Sequence, residues 1–369
     1  MDTLKFEYRS ISSLDEIKYK NYDDCENYIE DGELKSKILI NNPFIKSSNE
    51  IFQILAIIEN NVAGSEIHFP IQLILNNKTY NSITGSSLSV STKYRKYGIG
   101  TSLTSQRINY SESDSVLLGN ASKMHIPIQQ KLGSAVFLIP RYIYLKKSKP
   151  VLEMFLNGKL LNATSAVADL VLKVFNKIQK YRANKIVKSL TIELCDNNNI
   201  PKEINKIIEL DNHKYKENHN NEWIKWIANN SFNTDSRSKQ SVYVIKKDKE
   251  IVAFFITKER FYKQASHRGF KNVMLGSVIE WGTKDENIIS EKDLLFYSIF
   301  TFGENISAIE ICSDNKGNIR KLKRNGLIKV GEANAILRIG ENSPLLNYSD
   351  IREQDKWRIR PCMGDSALS

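Results

Sequence analysis

The segment from Tyr94 to Leu103, with the sequence YRKYGIGTSL, constrains this chain more than any other stretch. Apolar and polar residues alternate just before it, at 87–90, which predicts a strand, and Thr101–Ile108 has the pattern of a helix. Gly98 and Gly100 lack Cβ atoms, so the amides of such a turn can converge on phosphate oxygens, an attraction that the helix dipole increases. The pattern therefore indicates a turn that binds the diphosphate of a nucleotide-bearing cofactor.

The spacing of this turn narrows the class of cofactor. Arg95-x-x-Gly98-x-Gly100 differs from the G-x-G-x-x-G fingerprint of dinucleotide sites and from the phosphate loop that ends in Gly-Lys-Ser/Thr. A nicotinamide site and an ATP site are therefore disfavoured. Arg95 and Lys96 supply positive charge at the rim of the turn.

Composition limits the remaining possibilities. A chain of 369 residues with a hydrophobic fraction of 41% suits two globular domains. The net charge of +11 comes from scattered lysines, which argues against specific nucleic-acid binding. The cysteines form no C-x-x-C pair, the first residues do not resemble a signal peptide, and no apolar run approaches the roughly 20 residues that span a bilayer. We therefore expect a cytoplasmic protein without a membrane span or a metal site. The sequence leaves open whether the protein forms a homodimer.

The order of predicted strands and helices recurs in the two halves of the chain. It predicts a first domain at 1–150, a helical connector at 151–188, a second domain at 189–345 and a C-terminal tail at 346–369. At the position equivalent to the glycine turn, the second half has the acidic sequence WGTKDEN at 281–287, so only the first half is expected to bind an anionic cofactor. Four apolar residues of the connector recur at helical spacing and are expected to pack between the halves: Leu170, Val174, Ile178 and Tyr181.

Two segments together resemble a known superfamily. Residues 95–100, preceded by a strand end at 90–94, fit the pyrophosphate loop of the GNAT acyl-CoA transferases, and the sequence QQKLG at 129–133 is similar to the close of that family's next helix. The second half matches loosely, through 323–327 alone. The chain thus resembles the tandem GNAT proteins in which the C-terminal copy is degenerate. The resemblance implies an α/β fold with mixed sheets, made of two tandem GNAT-like domains, and acetyl-CoA or another acyl-CoA as co-substrate.

The resemblance also implies a set of cofactor-binding residues. The pantetheine arm would lie between two strands that separate, one carrying Leu88, Ser89 and Val90 and the other Leu118–Asn120. The backbone N–H of Val90 would polarise the thioester carbonyl. The remaining cofactor-binding residues implied by the resemblance are Arg95, Lys96, Tyr97, Gly98, Ile99, Gly100, Thr101 and Ser122.

The general base is less clear from the sequence. The strand at 86–90 carries no acid, whereas members of the family have a glutamate there. Glu66 and His68 alternate on the preceding strand and are the best substitutes, although a solvent-facing pair without a role is the alternative. Gln129 stands where the family often has a tyrosine that protonates the leaving thiolate. Either Tyr94, Tyr97 or a water is the donor instead, or the reaction is not acid-assisted, or the enzyme is impaired.

Three further segments carry structural predictions. Asn76, Asn77 and Lys78 are expected to form a turn between two strands. His213 and His219 lie in a polar stretch that is expected to form a loop and not a metal site. The tail at 357–361, with the sequence WRIRP, is expected to dock as an edge strand.

The resemblance implies an N-acetyltransferase that moves an acetyl group from acetyl-CoA to the amine of a small molecule, by direct attack on the thioester, with the acceptor between the halves. One alternative is an aminoacyl transferase of the peptidoglycan-bridge type that uses charged tRNA, although those enzymes do not usually keep an intact acyl-CoA loop. Another is a non-catalytic CoA-binding protein, which the missing strand glutamate and Gln129 favour.

Overall fold

A computed structural model describes residues 7–11, 38–39, 41–45, 52–58, 61–110, 116–120, 126–153, 155–232, 235–265, 270–340 and 343–363. Its contacts divide the chain into two compact units. The first comprises Met1–Phe137, His213–Asn218 and Asn334–Ser369, and the second comprises Leu138–Asn212 and His219–Ala333. The predicted domains are contiguous in sequence, whereas these units are not, because strands that are distant in sequence pair within the first unit.

The first unit is a mixed sheet with helices. Its strands pair in the order β1-β2-β3-β4-β5-β13, and each of these pairs is antiparallel except the parallel pair of β4 and β5. Its strands are β1 Glu7–Ile11, β2 Phe52–Ile58, β3 Asn61–Leu75, β4 Lys78–Val90, β5 Val116–Asn120, β8 Tyr215–Glu217, the second half of β13 Ile328–Ile339, and β14 Trp357–Arg358, and its helices are α1 Ile99–Tyr110 and α2 Ile126–Lys131.

Local turn chemistry explains the long β3–β4 hairpin. Asn76 and Asn77 both have positive φ, at 50° and 62°, which is the geometry of a two-residue turn that matches the twist of the flanking strands. The turn predicted at this position is confirmed.

The tail docks on the first unit as the sequence predicts. Trp357 and Arg358 of β14 are buried and pair in parallel with Tyr215 and Lys216 of β8, which itself pairs with the end of β3 at Leu73–Leu75. The prediction of a loop between His213 and His219 is therefore wrong. The polar stretch becomes a strand because two neighbouring strands satisfy its backbone groups, and no local pattern reveals such partners.

The second unit contains another mixed sheet. Its strands pair in the order β6-β12-β11-β10-β9-β7, with β11 and β12 parallel. Its elements are β6 Ala135–Leu145 from Leu138 onward, α3 Lys149–Leu152, α4 Gly158–Ile186, β7 Thr191–Leu194, α5 Glu203–Glu209, α6 Asn221–Asn229, β9 Lys239–Lys247, β10 Glu250–Ala265, β11 Phe270–Thr283, α7 Glu291–Ser298, β12 Ala308–Cys312 and α8 Lys316–Arg324.

The connector helix is confirmed as α4, but its predicted packing is wrong. Leu170, Val174, Ile178 and Tyr181 are all more than half exposed. The side of α4 that packs on the unit instead includes Leu161, Ser165, Gln179 and Ala183, which are buried. The sequence misleads here because the more apolar side of a helix normally faces the core.

Among the described residues, no helix combines the length and apolarity that crossing a bilayer requires.

Candidate functional site

Strands β4 and β5 of the first unit separate soon after they meet. Within the described residues their parallel register has a single pair, Ile83 with Leu117. Beyond it β5 pairs on its other side with β13, from Leu118 opposite Leu337 to Asn120 opposite Ala335. The edge of β4 from Thr84 to Val90 therefore has no register partner in β5, which is the separation that the pantetheine prediction needs.

The direction of the Val90 amide follows from the ladder between β3 and β4. Val90 lies opposite Gly64, and the Ser91 N–H donates to the Ala63 carbonyl at 2.9 Å. This bond makes Gly64 and Val90 a non-hydrogen-bonded pair, whose own N–H and C=O groups point away from the partner strand. In agreement, Arg95 Nε donates to the Val90 carbonyl at 3.2 Å from outside the ladder. The Val90 N–H thus points to the side on which β5 separates.

The segment after β4 forms a tight turn that leads directly into α1. Thr92–Tyr97 is a 3₁₀ helix, and Gly98 ends it with φ of 73°. The Ser102 N–H reaches the Gly98 carbonyl at 3.0 Å, so α1 is hydrogen-bonded from this point onward. The first amides of an α-helix have no carbonyl partner within the helix. A Cβ on Gly98 would meet no atom within 4 Å, so the space in front of this turn is open.

The cofactor-binding residues predicted here fall into two groups. Arg95, Lys96, Tyr97 and Gly98 are exposed along the turn. Ile99 is fully buried and anchors α1. The strand end and the start of the helix are half-buried, at Leu88, Ser89, Val90, Gly100 and Thr101. Ser122 lies outside the described residues.

Gly64 is a site residue that the sequence analysis missed. A Cβ there would lie 2.8 Å from the Ser89 carbonyl oxygen and 3.2 Å from Ile99 Cγ2 and Leu103 Cδ1. Only glycine lets α1 pack this close to β3 beside the Val90 amide. A glycine inside a strand is a signal for such close approach.

The two candidate bases are deeply buried. Glu66 and His68 are almost fully buried, and Oε2 of the first lies 3.7 Å from Nε2 of the second. They alternate with Gly64 on one face of β3, and the partner of Glu66 on β2 is Ile54, which belongs to the apolar cluster that contains Ile99. The alternative of a solvent-facing pair is therefore wrong. The pair lies on the face of the sheet on which α1 packs.

Gln129 lies in the interior of the protein. Its side chain is fully buried and its Oε1 accepts a hydrogen bond from the Ser134 hydroxyl at 2.9 Å. Gly133 follows with φ of 79° and ends the helix, as the sequence predicts. Tyr94, in contrast, is half-buried against the cluster under α1.

Within the residues that the structure describes, the second unit shows no comparable phosphate turn. The backbone N–H of Glu291, at the start of α7, donates to both carboxylate oxygens of Glu286, at 3.2 Å and 3.1 Å. Partial burial raises the pKa of Glu286 above its usual value, while this hydrogen bond acts in the opposite direction. Strands β11 and β12 also stay paired over four successive positions, from Leu275 opposite Ala308 to Val278 opposite Ile311. An acidic side chain thus lies where a phosphate would bind, and the strands do not separate in this stretch.

A buried ion pair of the second unit also escaped the sequence analysis. His219 Nδ1 contacts Glu280 Oε2, and both residues are nearly inaccessible to solvent. The His219 ring stacks on Trp223, with centroids 4.0 Å apart and planes 15° apart. Glu280 Oε1 accepts the backbone N–H of Trp281 at 2.8 Å. The His219 ring thus lies between the Glu280 carboxylate and the Trp223 ring.

No family model matches the chain, and no curated protein matches it by sequence. Solved structures do match it. A GCN5-related N-acetyltransferase from Anabaena variabilis superposes with a TM-score of 0.55 and 11% identity, over 91% of this chain and 73% of that one. Saccharomyces cerevisiae N-myristoyltransferase with bound myristoyl-CoA gives a TM-score of 0.56 and 12% identity, over 93% and 81%. A probable N-acyltransferase from Enterococcus faecalis gives 0.54 and 11%, over 93% and 74%.

At these identities the likeness shows the fold. The prediction of an α/β chain with mixed sheets and two GNAT-like domains is confirmed.

Proposed function

We propose that this protein is an acyl-CoA-dependent N-acyltransferase that uses the first unit to bind the cofactor, and that acetyl-CoA is its acyl donor and the amine of a small molecule its acceptor. The observation that carries the proposal is the open edge of β4, where the Val90 amide points outward beside an exposed glycine turn that starts a helix. The chain has the same fold as an N-acetyltransferase and as an N-myristoyltransferase that was solved with myristoyl-CoA.

The turn supplies the groups that a diphosphate needs. The amides at the start of α1 and the positive end of its dipole attract anions. Gly98 leaves open space in front of these amides, so phosphate oxygens can reach the backbone. Lys96 is exposed beside them, and Arg95 is held close by its bond to the Val90 carbonyl. The diphosphate of CoA would therefore bind at residues 95–101.

The open edge of β4 suits the arm of the cofactor and the reaction itself. Pantetheine contains amide groups, which can bond to the exposed backbone around Leu88 and Ser89 as an additional strand would. The thioester carbonyl would then lie against the Val90 N–H. This donor is fixed in direction by the ladder, so it stabilises the oxyanion that develops when the amine attacks.

The acceptor amine has to lose a proton before or during the attack, because only the neutral amine is nucleophilic. Glu66 and His68 are the ionisable groups that the structure places on the α1 face of β3. Their burial means that the proton reaches them through a water or through closure around the substrate. The amine forms the new C–N bond, the C–S bond breaks, and the CoA thiolate takes a proton from Tyr94, Tyr97 or water.

Titration with acetyl-CoA, followed by calorimetry, tests the site directly with a matched pair of variants. Gly98→Glu places a carboxylate in front of the turn, and Gly133→Glu makes the same change at another exposed glycine of positive φ that has no atom within 4 Å of a Cβ. Both variants have the same strain, of about 1–2 kcal/mol. A carboxylate about 4 Å from a phosphate costs on the order of 4 kcal/mol at an effective dielectric constant of 20. We therefore expect Gly98→Glu to lose affinity by about a thousandfold and Gly133→Glu to keep it.

Release of free thiol with a panel of small amines then tests catalysis. Binding without thiol release for any amine would favour a non-catalytic CoA-binding protein. No binding of acetyl-CoA by the wild type, or equal loss in both glycine variants, would contradict the site. Transfer from a charged tRNA in the absence of CoA would favour the aminoacyl transferase instead.

A further inference from the structure

The long helix α4 of the second unit has its polarity reversed. Seven large apolar side chains of this helix are between 54% and 72% exposed: Leu160, Val167, Leu170, Val171, Val174, Ile178 and Tyr181. The buried side includes the polar residues Ser165 and Gln179, and Asp169 also turns inward, where its Oδ1 accepts the Ser148 N–H at 2.5 Å. A helix of a water-soluble unit normally places these two classes of residue the other way round.

The seven exposed residues, called here the α4 stripe, form one continuous surface. At 3.6 residues per turn they fall within an arc of about 100°, and the centre of this arc lies roughly opposite the buried side. The helix has 29 residues, which corresponds to a length of about 43 Å. Contiguous apolar surface of this extent marks an interaction site more often than isolated exposed residues do.

Positive charge accompanies the α4 stripe. The helix contains six basic residues, Lys159, Lys173, Lys177, Lys180, Arg182 and Lys185, all of them exposed, and Asp169 is its single acid. On the helical projection Lys159 and Lys177 border the stripe on one side, with Lys173 and Lys180 further round on that side. Arg182 borders it on the other side, and Lys185 lies within its arc at the C-terminal end of the helix. An apolar stripe bordered by lysines is the pattern of helices that lie in the plane of an anionic membrane surface.

We propose that α4 docks on the surface of a membrane that contains anionic phospholipids. The α4 stripe inserts into the boundary between headgroups and acyl chains, and the bordering lysines contact lipid phosphates. A second copy of the chain fits this surface less well, because a symmetric contact through α4 brings two basic borders together. The inference does not depend on the proposed acyl transfer, which concerns the first unit.

Flotation with lipid vesicles tests this surface on the full chain. We expect the wild type to bind vesicles of phosphatidylcholine mixed with phosphatidylglycerol, to bind pure phosphatidylcholine vesicles far less, and to dissociate as salt is added. The variant Leu170→Gln/Val174→Gln/Ile178→Gln changes three of the seven residues of the α4 stripe, all at exposed positions. We expect its partition to the mixed vesicles to fall by at least about tenfold.

Two further variants separate apolar insertion from charge and from general surface polarity. Lys173→Glu/Lys177→Glu keeps the α4 stripe and should reduce binding to the anionic vesicles by at least about tenfold. Leu194→Gln/Leu210→Gln changes two leucines of the same unit that are equally exposed, at 63% and 55%, but lie outside α4. This control should bind as the wild type does. Circular dichroism and thermal unfolding show that each variant is folded.

Three results would overturn the proposal. The first is a wild type that floats equally little with and without anionic lipid. The second is a triple glutamine variant that binds vesicles as well as the leucine control. The third is a concentration-dependent dimer, seen by sedimentation equilibrium, that the triple variant abolishes while vesicle binding is unchanged, since the stripe would then belong to a second copy.

Discussion

Replacing Gly64 with alanine tests the close packing that forms the proposed acyl-CoA site. The added Cβ would lie 2.8 Å from the Ser89 carbonyl oxygen and 3.2 Å from side-chain carbons of Ile99 and Leu103. Overpacking of this kind costs about 1–3 kcal/mol, and because one of the atoms belongs to a paired strand we expect the upper part of that range. Alanine also restricts the unfolded chain, which returns about 0.4–1 kcal/mol. The free energy of unfolding should therefore fall by about 1–2 kcal/mol.

Urea unfolding followed by circular dichroism measures this change, and Gly100→Ala is its matched control. A Cβ on Gly100 would meet only Val90 Cγ2, at an ordinary distance of 3.7 Å. The same substitution in this first turn of α1 should stabilise the protein by about 0.5 kcal/mol. If Gly64→Ala is as stable as Gly100→Ala, then α1 does not pack against β3 as closely as described, and the argument for a rigid turn beside Val90 is refuted.

Three further predictions concern other parts of the molecule. Burial raises the pKa of the Cys195 thiol from 9.0 to about 11, so at pH 8 its thiolate fraction falls about a hundredfold. Iodoacetamide should therefore alkylate Cys195 far more slowly than a cysteine in a short peptide, as measured by mass spectrometry. Hydrogen bonds from Lys214 and Tyr215 lower the pKa of Asp350. The stabilisation of the docked tail by Asp350 is therefore complete above pH 3.8 and is lost as the pH falls through the lowered pKa. Hydrogen exchange of residues 344–358 should accelerate in that acidic range in the wild type, and already at neutral pH in Asp350→Asn. Arg141 Nη2 lies 2.6 Å from Glu310 Oε2, and both side chains are largely buried. Arg141→Met should therefore lower the free energy of unfolding by about 3 kcal/mol in the same urea assay, because it leaves a buried carboxylate without its partner. The double variant Arg141→Met/Glu310→Met should restore most of the lost stability.

Local sequence signals predicted the parts of this fold that depend on neighbouring residues. Asn76 and Asn77 form the expected turn because asparagine tolerates positive φ, and Gly98 and Gly133 end helical turns for the same reason. The predicted order of strand, turn and helix around residues 87–108 is therefore confirmed.

Partners that are distant in sequence could not be predicted in this way. The pairing of β5 with β13 joins residues more than 200 positions apart, and β8 forms only because β3 and β14 flank it. The burial of Glu66 and His68 depends on α1 covering that face of β3, which the alternation of residues alone does not show. The exposed stripe of α4 went unrecognised for a similar reason, because periodicity locates an apolar side but not what covers it.

The register shift between β3 and β4 has a consequence for the chemistry at Val90. On β4 three steps separate Ser86 from Ser89, whereas on β3 two steps separate their partners Ile67 and Ser65, so β4 carries one additional residue at this point. If the two strands kept the register of Ile67 and Ser86 through this point, Val90 would lie opposite Ala63, and its amide would point into the ladder. The phase of the backbone, and not the identity of a side chain, therefore decides which way that hydrogen points.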